Sequence, residues 1–452
     1  MTWVALVRTA LPYLADIVSN PLYESSVPLR RAPQERASAP TQAVPEAGSP
    51  DERTESPLPV VILSGGVTGL GVLRAFSRQG IPAYVYSTAP TDPIRQSRWY
   101  RTLPGTDDQS PARAPSVALL EQVLADSKFR GAFLCACSDE WNRVVSVFTE
   151  HSSTRFASMA PPRVALEIVQ NKGNLAILLQ TLGIPMPNTL PVESSAGLSV
   201  LPPSNGSFYF LKPRDSQSFL ARFGTKGIRV STTDDARRWL DVITAADMGV
   251  VLQEYIPGAA TEHYFIDGYS DHAGVIKALF ARRRQRMYPP DFGNSTSMIS
   301  VPLSDVEAAI DSVHRVLAAA DYRGIFSVEF KRDPRDGAFK LLEINARPWW
   351  YIDFAARCGV NVCRMAYDDA LGHEVQALET YSVGSTCVFP YYDFFTMRTL
   401  VAAGQMSWRR WFGEVARALQ PVGCLDDPKP ALVATARILG KALRNRLASR
   451  DA

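Results

Sequence analysis

Apolar and polar positions recur with different periods along the chain, and the changes of period mark its elements. The run Val60–Leu63 is apolar on both faces, as in a parallel strand covered on each side by helices. A glycine turn (Gly65–Gly71) and a helix ending near Gly80 follow, then the strand IPAYVY, a helix around 116–127 and a strand over Ala132–Cys137. Ser138-Asp139-Glu140 stands at the carboxyl end of that last strand. The pattern predicts an open α/β domain over residues 58–158. From about residue 160 the period changes. Helices are predicted from Pro162 to Gln170 and on to Gly183, then the extended stretch IPMPNTLPV. Polar turns next separate strand-like runs at 208–215, 249–258, 262–270, 274–284, 325–333 and 339–349, with helices at 233–246 and 304–320. Antiparallel strands with segregated helices predict an α+β domain over 159–375.

The two ends read differently. Residues 1–22 form an apolar stretch interrupted by Arg8 and Asp16, without a small-residue cleavage signature, which predicts a short amphipathic helix. Residues 26–57 are rich in Pro, Ser, Glu, Arg and Ala without periodicity, so 1–57 is an amphipathic segment and a flexible linker. Residues 376–452 carry two basic amphipathic patterns, 407–420 and 430–447, predicting a helical extension. Such helices either pack on their own domain or lie on an anionic membrane surface.

Composition narrows the class. With 46% hydrophobic and 21% charged residues among 452, the chain buries ample core. A net charge of +3 with no basic stripe gives no reason to expect a nucleic-acid partner. The six cysteines form no C-x-x-C pair, predicting free thiols in a reducing, cytoplasmic compartment. The five histidines lack metal-ligand spacing. Only nine of the 48 basic residues are lysine. The excess of arginine is what a GC-rich genome gives, so each retained lysine is a candidate for a role. The glycine turn reads GGxxGLG rather than G-x-G-x-x-G, and Tyr86-Ser87-Thr88 replaces the acid that would hold the ribose of NAD. An NAD-dependent oxidoreductase is therefore a minor alternative, and the open N–H groups of the turn suit another anion or a carboxylate.

The chemistry concentrates in the second domain. Asp333-Pro334-Arg335-Asp336-Gly337 is a turn joining two strands that should pair, bringing Glu329 near Glu343 and Asn345. Two carboxylates and an amide on one platform suit Mg²⁺, although solvated glutamates on an ordinary hairpin give the same pattern. Lys212 closes an apolar strand, where phosphate oxygens would explain an ammonium. Phe223-Gly224-Thr225-Lys226-Gly227 can fold over phosphates, and Gln253-Glu254-Tyr255-Ile256 ends a strand able to offer main-chain groups to a base.

In this order, Lys172, Lys-Pro at 212–213, the glycine–lysine loop, QEYI, an acid at Glu262, VEFK and LEINxR, the chain resembles the ATP-grasp superfamily over about residues 58–375. The resemblance implies a pre-ATP-grasp α/β domain, an ATP-grasp domain, and ATP and Mg²⁺ (or Mn²⁺) as cofactors. It implies phosphate contacts from Lys172, Lys212, Lys226 and Gly227, and adenine contacts from the main chain of Glu254 and Ile256 and the side chain of Gln253. Ribose contact falls to Glu262, metal binding to Glu329, Glu343 and Asn345, and neutralisation of an acyl phosphate or substrate carboxylate to Arg347. The stretch 281–300 and the DDPKP segment (426–430) resemble the carboxylate–amine ligases that include D-aspartate ligase-like enzymes. Arg282, Arg284 and Arg286 alternate along one strand, so Arg284 and Arg286 are expected substrate contacts. The implied activity is ATP-dependent ligation of a small carboxylate to an amine (or thiol), with an amino acid as a substrate and a homodimer through the first domain within the family's habit. A non-catalytic ATP-binding regulatory module is the alternative reading.

Overall fold

The structure is a computed structural model describing residues 58–86, 89–103, 114–152, 156–192, 194–198, 200–201, 208–213, 219, 222–225, 227–289 and 293–437. The expected amphipathic segment and linker (1–57), Lys226, and the end of the 430–447 helix lie outside the described residues.

Three sheets organise it. The first has the order β2-β1-β3-β4, all parallel, from β1 (Val60–Leu63), β2 (Ala83–Tyr86), β3 (Phe133–Ala136) and β4 (Ala157–Ser158). The second is antiparallel, in the order β5-β8-β6-β7, from β5 (Thr189–Val192), β6 (Tyr209–Pro213), β7 (Ile228–Val230) and β8 (Val250–Glu254). The third is antiparallel with six strands, in the order β13-β12-β9-β10-β11-β14. Its strands are β9 (His263–Ser270), β10 (Ile276–Tyr288), β11 (Asn294–Ser300), β12 (Gly324–Arg332), β13 (Phe339–Asn345) and β14 (Thr386–Val388).

The expected α/β and α+β division holds, with two differences. Past the expected run 274–284, β10 continues to Tyr288 and pairs antiparallel with a further strand, β11. The C-terminal region is helical, as expected, but also supplies β14, which completes an edge of the central sheet. Neither strand stands out in the sequence, because β11 (NSTSMIS) is small and polar and β14 has three residues.

The period of two along a strand decides what each face of the six-stranded sheet meets. Tyr264, Ile266, Phe326, Val328, Phe330, Leu341 and Ile344 face the helices Arg163–Gln170, Lys172–Thr181 and Glu307–Ala319. Phe265, Tyr269, Phe280 and Ile325 face the other way, into a core shared with the first domain. There the helix Gly66–Ser77 packs on Ile352–Arg357 so closely that a Cβ on Gly71 would lie 2.8 Å from the Ile352 side chain.

The glycine turn does hold a carboxylate, and it is the protein's own. Gly66 N–H donates to both oxygens of Asp92, at 2.9 and 2.8 Å. An internal carboxylate at this helix N-terminus occupies the place a dinucleotide pyrophosphate would take, and so opposes the NAD alternative.

The C-terminal extension is bound in at several points. In the helix Trp408–Arg417, Trp411, Phe412 and Val415 are buried with Phe394 and Met397 of the helix Pro390–Ala402. The apolar face of this first basic pattern is thus used inside the protein. Among the described residues, no helix is long and apolar enough to cross a membrane. The DDPKP segment docks on the first domain, where Arg74 and Asp427, both side chains 0% exposed, pair at 3.0 Å. Ser97 Oγ and Arg98 N–H donate to the same carboxylate. Five of the six cysteines are buried and Cys424 is half-buried.

Two outcomes follow. Asp427→Ala leaves a buried guanidinium without its carboxylate and should cost about 3–5 kcal/mol, read by urea unfolding. At the β9–β10 turn, exposed His272 Nδ1 lies 2.6 Å from Asp369. The hydrogen bond and charge of Asp369 raise the His272 pKa. Burial pushes Asp369 up, but bonds from Tyr269 and His272 hold it below the usual carboxylate range. A raised histidine pKa stabilises fully below its unfolded value of about 6.5, and the effect is lost as pH rises through the folded value. His272→Ala should therefore lower Tm near pH ~5.5 and leave it unchanged near pH ~9.

Candidate active site

The site grows from the charged end of the sheet face shared with the first domain. Along β12 and β9 that face carries Ser327, Glu329 and Lys331 beside His263, Phe265 and Asp267, and the register sets Glu329 against Phe265 on one side and Glu343 on the other. A bulge follows directly, between Glu329 and Phe330, and a second interrupts β10 between Arg284 and Arg286. Bulges re-aim side chains and recur beside active sites.

Glu329 Oε1 accepts from Arg284 Nη2 at 3.0 Å and lies 2.9 Å from His263 Nδ1. Burial pushes the Glu329 carboxyl up, but the Arg284 guanidinium and the His263 ring hold it well below the usual range. Burial lowers His263 to about 4, with Arg284 adding to the effect, so near neutral pH the ring is uncharged and Nδ1–H is the donor. Arg284 is itself anchored, its Nε donating to Ser295 Oγ at 2.8 Å. One step back, Arg282 forks onto Asp267 at 2.6 and 3.2 Å.

Lys212 stands on β6 of the smaller antiparallel sheet. Burial pushes its ammonium pKa down; Glu343 raises it, Lys172 lowers it further and Glu329 raises it again. The charges of Glu343, Lys172 and Glu329, on three other elements, are therefore all felt at Lys212. Lys172 opens the helix Lys172–Thr181, capped by Asn171, whose Oδ1 accepts from Gly173 and Asn174 N–H.

Glu343 and Glu329 are direct cross-strand neighbours, and Asn345 Nδ2 donates to Glu343 Oε1 at 3.2 Å. Like charges at facing positions repel unless a cation lies between them. Two carboxylates and an amide fit Mg²⁺, which takes few protein ligands and completes its shell with water and phosphate oxygens.

The end of β8, expected to meet a base, is held by several contacts. Glu254 Oε1 accepts from Arg335 Nη1 at 2.6 Å, and Glu254 and Tyr255 N–H donate to the carbonyls of Asn188 and Phe208. Tyr255 stacks on Phe208 at 4.4 Å and 13°. Arg229 lies over the far face of that pair at 3.8 Å from Phe208, and Lys331 Nζ lies 4.4 Å from the Tyr255 ring. Glu262 ends a short turn of 3₁₀ helix just before β9, half-buried. Thr225 Oγ1 donates to the Gly227 carbonyl at the start of β7.

Residues 248–386 match a family model described as ATP-grasp in the biosynthetic pathway with Ter operon. Over that stretch the chain is similar to an ATP-grasp family. It is 23% identical over 341 residues to D-aspartate ligase of Enterococcus faecium (strain Aus0004), covering 72% of this chain and 80% of that one. Its fold is shared with an L-amino acid ligase from Bacillus licheniformis, at TM-score 0.52 and 16% identity over 70% of this chain and 75% of that one. It is shared too with N5-carboxyaminoimidazole synthetase from Staphylococcus aureus complexed with ADP, at TM-score 0.56 and 13% identity over 73% and 80%.

Within this fold, two expected contacts are placed elsewhere. The expected substrate contact Arg286 has its guanidinium fully engaged: Nε and Nη2 donate to Asp393 and Nη1 to Glu414. Thr296 and Trp411 donate to the same buried Asp393. Arg286 thus ties the grasp sheet to the C-terminal helices, because past the bulge β10 runs beneath them. The Gln253 side chain is buried against β5, donating to Thr189 Oγ1 at 3.1 Å, so it points into the sheet rather than towards a base. Arg347 reaches Asp139 of the first domain, at 2.7 Å from Nε to Oδ1.

His263, Asp267, Ser295 and Asp139 entered no expectation. His263 and Asp267 share the parity of Phe265 on β9, a signal the sequence carries but which becomes legible only with the partner strands known. Replacing Arg286 by Ala should lower stability by about 3–5 kcal/mol in urea while leaving ADP affinity, measured by calorimetry, unchanged.

Proposed function

We propose that this protein is an ATP-grasp enzyme, an ATP-dependent carboxylate–amine ligase working through an acyl phosphate, with an amino acid as one substrate. The carrying observation is the cross-strand pair Glu329 and Glu343 beside Asn345, carboxylates for a divalent ion, with the charge of both felt at Lys212, a cation for phosphate. The D-aspartate ligase and L-amino acid ligase relatives support the substrate class.

In this reading residues 58–158 are the pre-ATP-grasp domain and 159–375 the grasp. Lys172 and Lys212 hold the ATP phosphates, and the loop at Lys226–Gly227 covers them. The main chain of Glu254 and Ile256 meets adenine and Glu262 the ribose. Glu329, Glu343 and Asn345 hold Mg²⁺ or Mn²⁺, which when bound neutralises phosphate oxygens. The acceptor carboxylate attacks the γ-phosphorus as the bond to the ADP oxygen breaks, giving the acyl phosphate. The amine nitrogen then attacks the acyl carbon, phosphate leaves, and the nitrogen loses its proton. Lysines fixed in place before reaction stabilise the charge that spreads over the transferring phosphoryl oxygens. Arg284 keeps Glu329 ionised and oriented. Buried thiols and a need for ATP suit the cytoplasm.

Release of ADP in the presence of pooled amino acids, with mass spectrometry of the product, tests the reading. Lys212→Ala and Glu343→Ala should each lower turnover by about 10²–10³-fold. Lys212→Arg should also impair it, since a planar fork does not replace a compact ammonium. Turnover unaffected by these changes would overturn the proposal.

A further inference from the structure

The side chains expected to hold a cation are each tied through one atom. Glu329 takes both of its hydrogen bonds on a single oxygen: Oε1 accepts from Arg284 Nη2 at 3.0 Å and from His263 Nδ1 at 2.9 Å. Among the described residues, none falls on Oε2. Glu343 repeats the arrangement, with Asn345 Nδ2 donating to its Oε1 at 3.2 Å. An amide that gives its nitrogen to a carboxylate keeps its oxygen for another partner. Three oxygens therefore stay outside these contacts: Glu329 Oε2, Glu343 Oε2 and Asn345 Oδ1.

The donors on Glu329 Oε1 are themselves fixed. Arg284 is 4% exposed and all three of its nitrogens are engaged. Besides the bond to Glu329, Nε donates to Ser295 Oγ at 2.8 Å and Nη1 lies 3.9 Å from Met287 Sδ. Its guanidinium carbon stands 5.2 Å from the centre of the Phe265 ring. His263 is 8% exposed and opens β9, set by the register against Lys331 of β12. Both donors belong to strands of the same sheet as Glu329, so the sheet fixes their places.

This decides how Glu329 can meet a divalent ion. A carboxylate binds a metal through one oxygen or chelates it with both. To use Oε1, Glu329 would have to give up two hydrogen bonds, one of them to a guanidinium. The cation would also have to approach Arg284, where like charges repel. Binding through Oε2 requires neither. The difference separates cations. Mg²⁺ demands a near-ideal octahedron and takes one or two carboxylates beside water and phosphate oxygens, whereas Ca²⁺ takes about six to eight oxygens and accepts chelating carboxylates readily.

We propose that His263 and Arg284 are positioning residues of the metal centre: by occupying Oε1 they leave Glu329 one oxygen for the ion, and so select a small octahedral cation over Ca²⁺. The proposal rests on the reading of Glu329 as a metal ligand, and adds that β9 and β10 set which cation the site accepts. Arg284 carries a charge, so replacing it alters the field at the ion as well as the aim of Glu329. Replacing His263 above the ordinary histidine pKa of about 6.5 removes a hydrogen bond and no charge, and the test therefore falls on His263.

Calorimetry at pH ~8 measures ADP affinity for wild type, His263→Ala, His263→Asn and Glu343→Ala with Mn²⁺, Mg²⁺, Ca²⁺ or EDTA. Titrations without protein correct for metal bound by ADP alone, thermal melting confirms folding, and electron paramagnetic resonance of Mn²⁺ reports the surroundings of the bound ion. Wild type should bind ADP at least about tenfold more tightly with Mn²⁺ or Mg²⁺ than with Ca²⁺. In His263→Ala the gain from Mn²⁺ over EDTA should fall about tenfold, the preference over Ca²⁺ should shrink to within about threefold, and the Mn²⁺ spectrum should change. ADP affinity in EDTA should stay as in wild type. His263→Asn, whose amide N–H can reach the same oxygen, should restore part of the preference. A wild type without preference over Ca²⁺ would overturn the proposal. So would a His263→Ala variant that keeps the wild-type gain and preference, or one that loses affinity equally with all three ions. A gain lost in Glu343→Ala but kept in His263→Ala overturns this proposal alone, whereas a wild type that gains nothing from Mn²⁺ overturns the metal reading and the proposal with it.

Discussion

Charge taken out of water must be matched, and on the inner face of the six-stranded sheet that requirement organises the molecule. An unpaired buried ion costs several kcal/mol, so each guanidinium there meets a carboxylate from a different segment. Arg282 meets Asp267, Arg284 meets Glu329, and Arg286 meets Asp393. The three arginines alternate along β10 like rungs, and each binds its strand to something new: neighbouring β9, Glu329 of β12, and the C-terminal helices. Farther out, Arg347 with Asp139 and Arg74 with Asp427 bring the first domain into the same scheme. The pairs supply register and orientation more than net stability, since well-packed apolar residues could fill the same volume.

The same face grades from apolar to ionic. Phe280, Tyr269 and Ile325 lie in the core with the first domain, Phe265 stands between two guanidiniums, and Glu329 and Glu343 form the open end. A carboxylate held ionised beside a neutral histidine is ready to meet a cation without first losing a proton. The smaller sheet carries Lys212, and the stack Arg229–Phe208–Tyr255–Lys331 joins that sheet to β12 at the end of β8. Arg335 adds an ion pair to Glu254 at the same place.

The C-terminal extension belongs to both ends of the molecule. β14 extends the central sheet, Asp393 and Trp411 fasten the helices to it, and the segment at Asp427 returns to the first domain. The extension therefore bridges the first domain and the six-stranded sheet.

By itself the sequence determined the elements whose cause is local. Buried strands declared themselves through apolar runs, the β12–β13 hairpin through its Asp-Pro-Arg-Asp-Gly turn, and the retained lysines through their position after strands or at a helix start. Period two along LLEIN placed Glu343 and Asn345 on one face without knowledge of any neighbour. Tertiary structure alone decided partnership. That Arg286 serves a helix tie and Arg284 meets Glu329 depends on a bulge and on a helix more than a hundred residues later. That Gly66 receives Asp92, Glu329 receives His263, and Arg347 receives Asp139 depends on chain segments 26, 66 and 208 residues apart. A side chain's type and face are written in its immediate neighbours, but the charge that completes it arrives from wherever the fold brings one, and no local pattern records that.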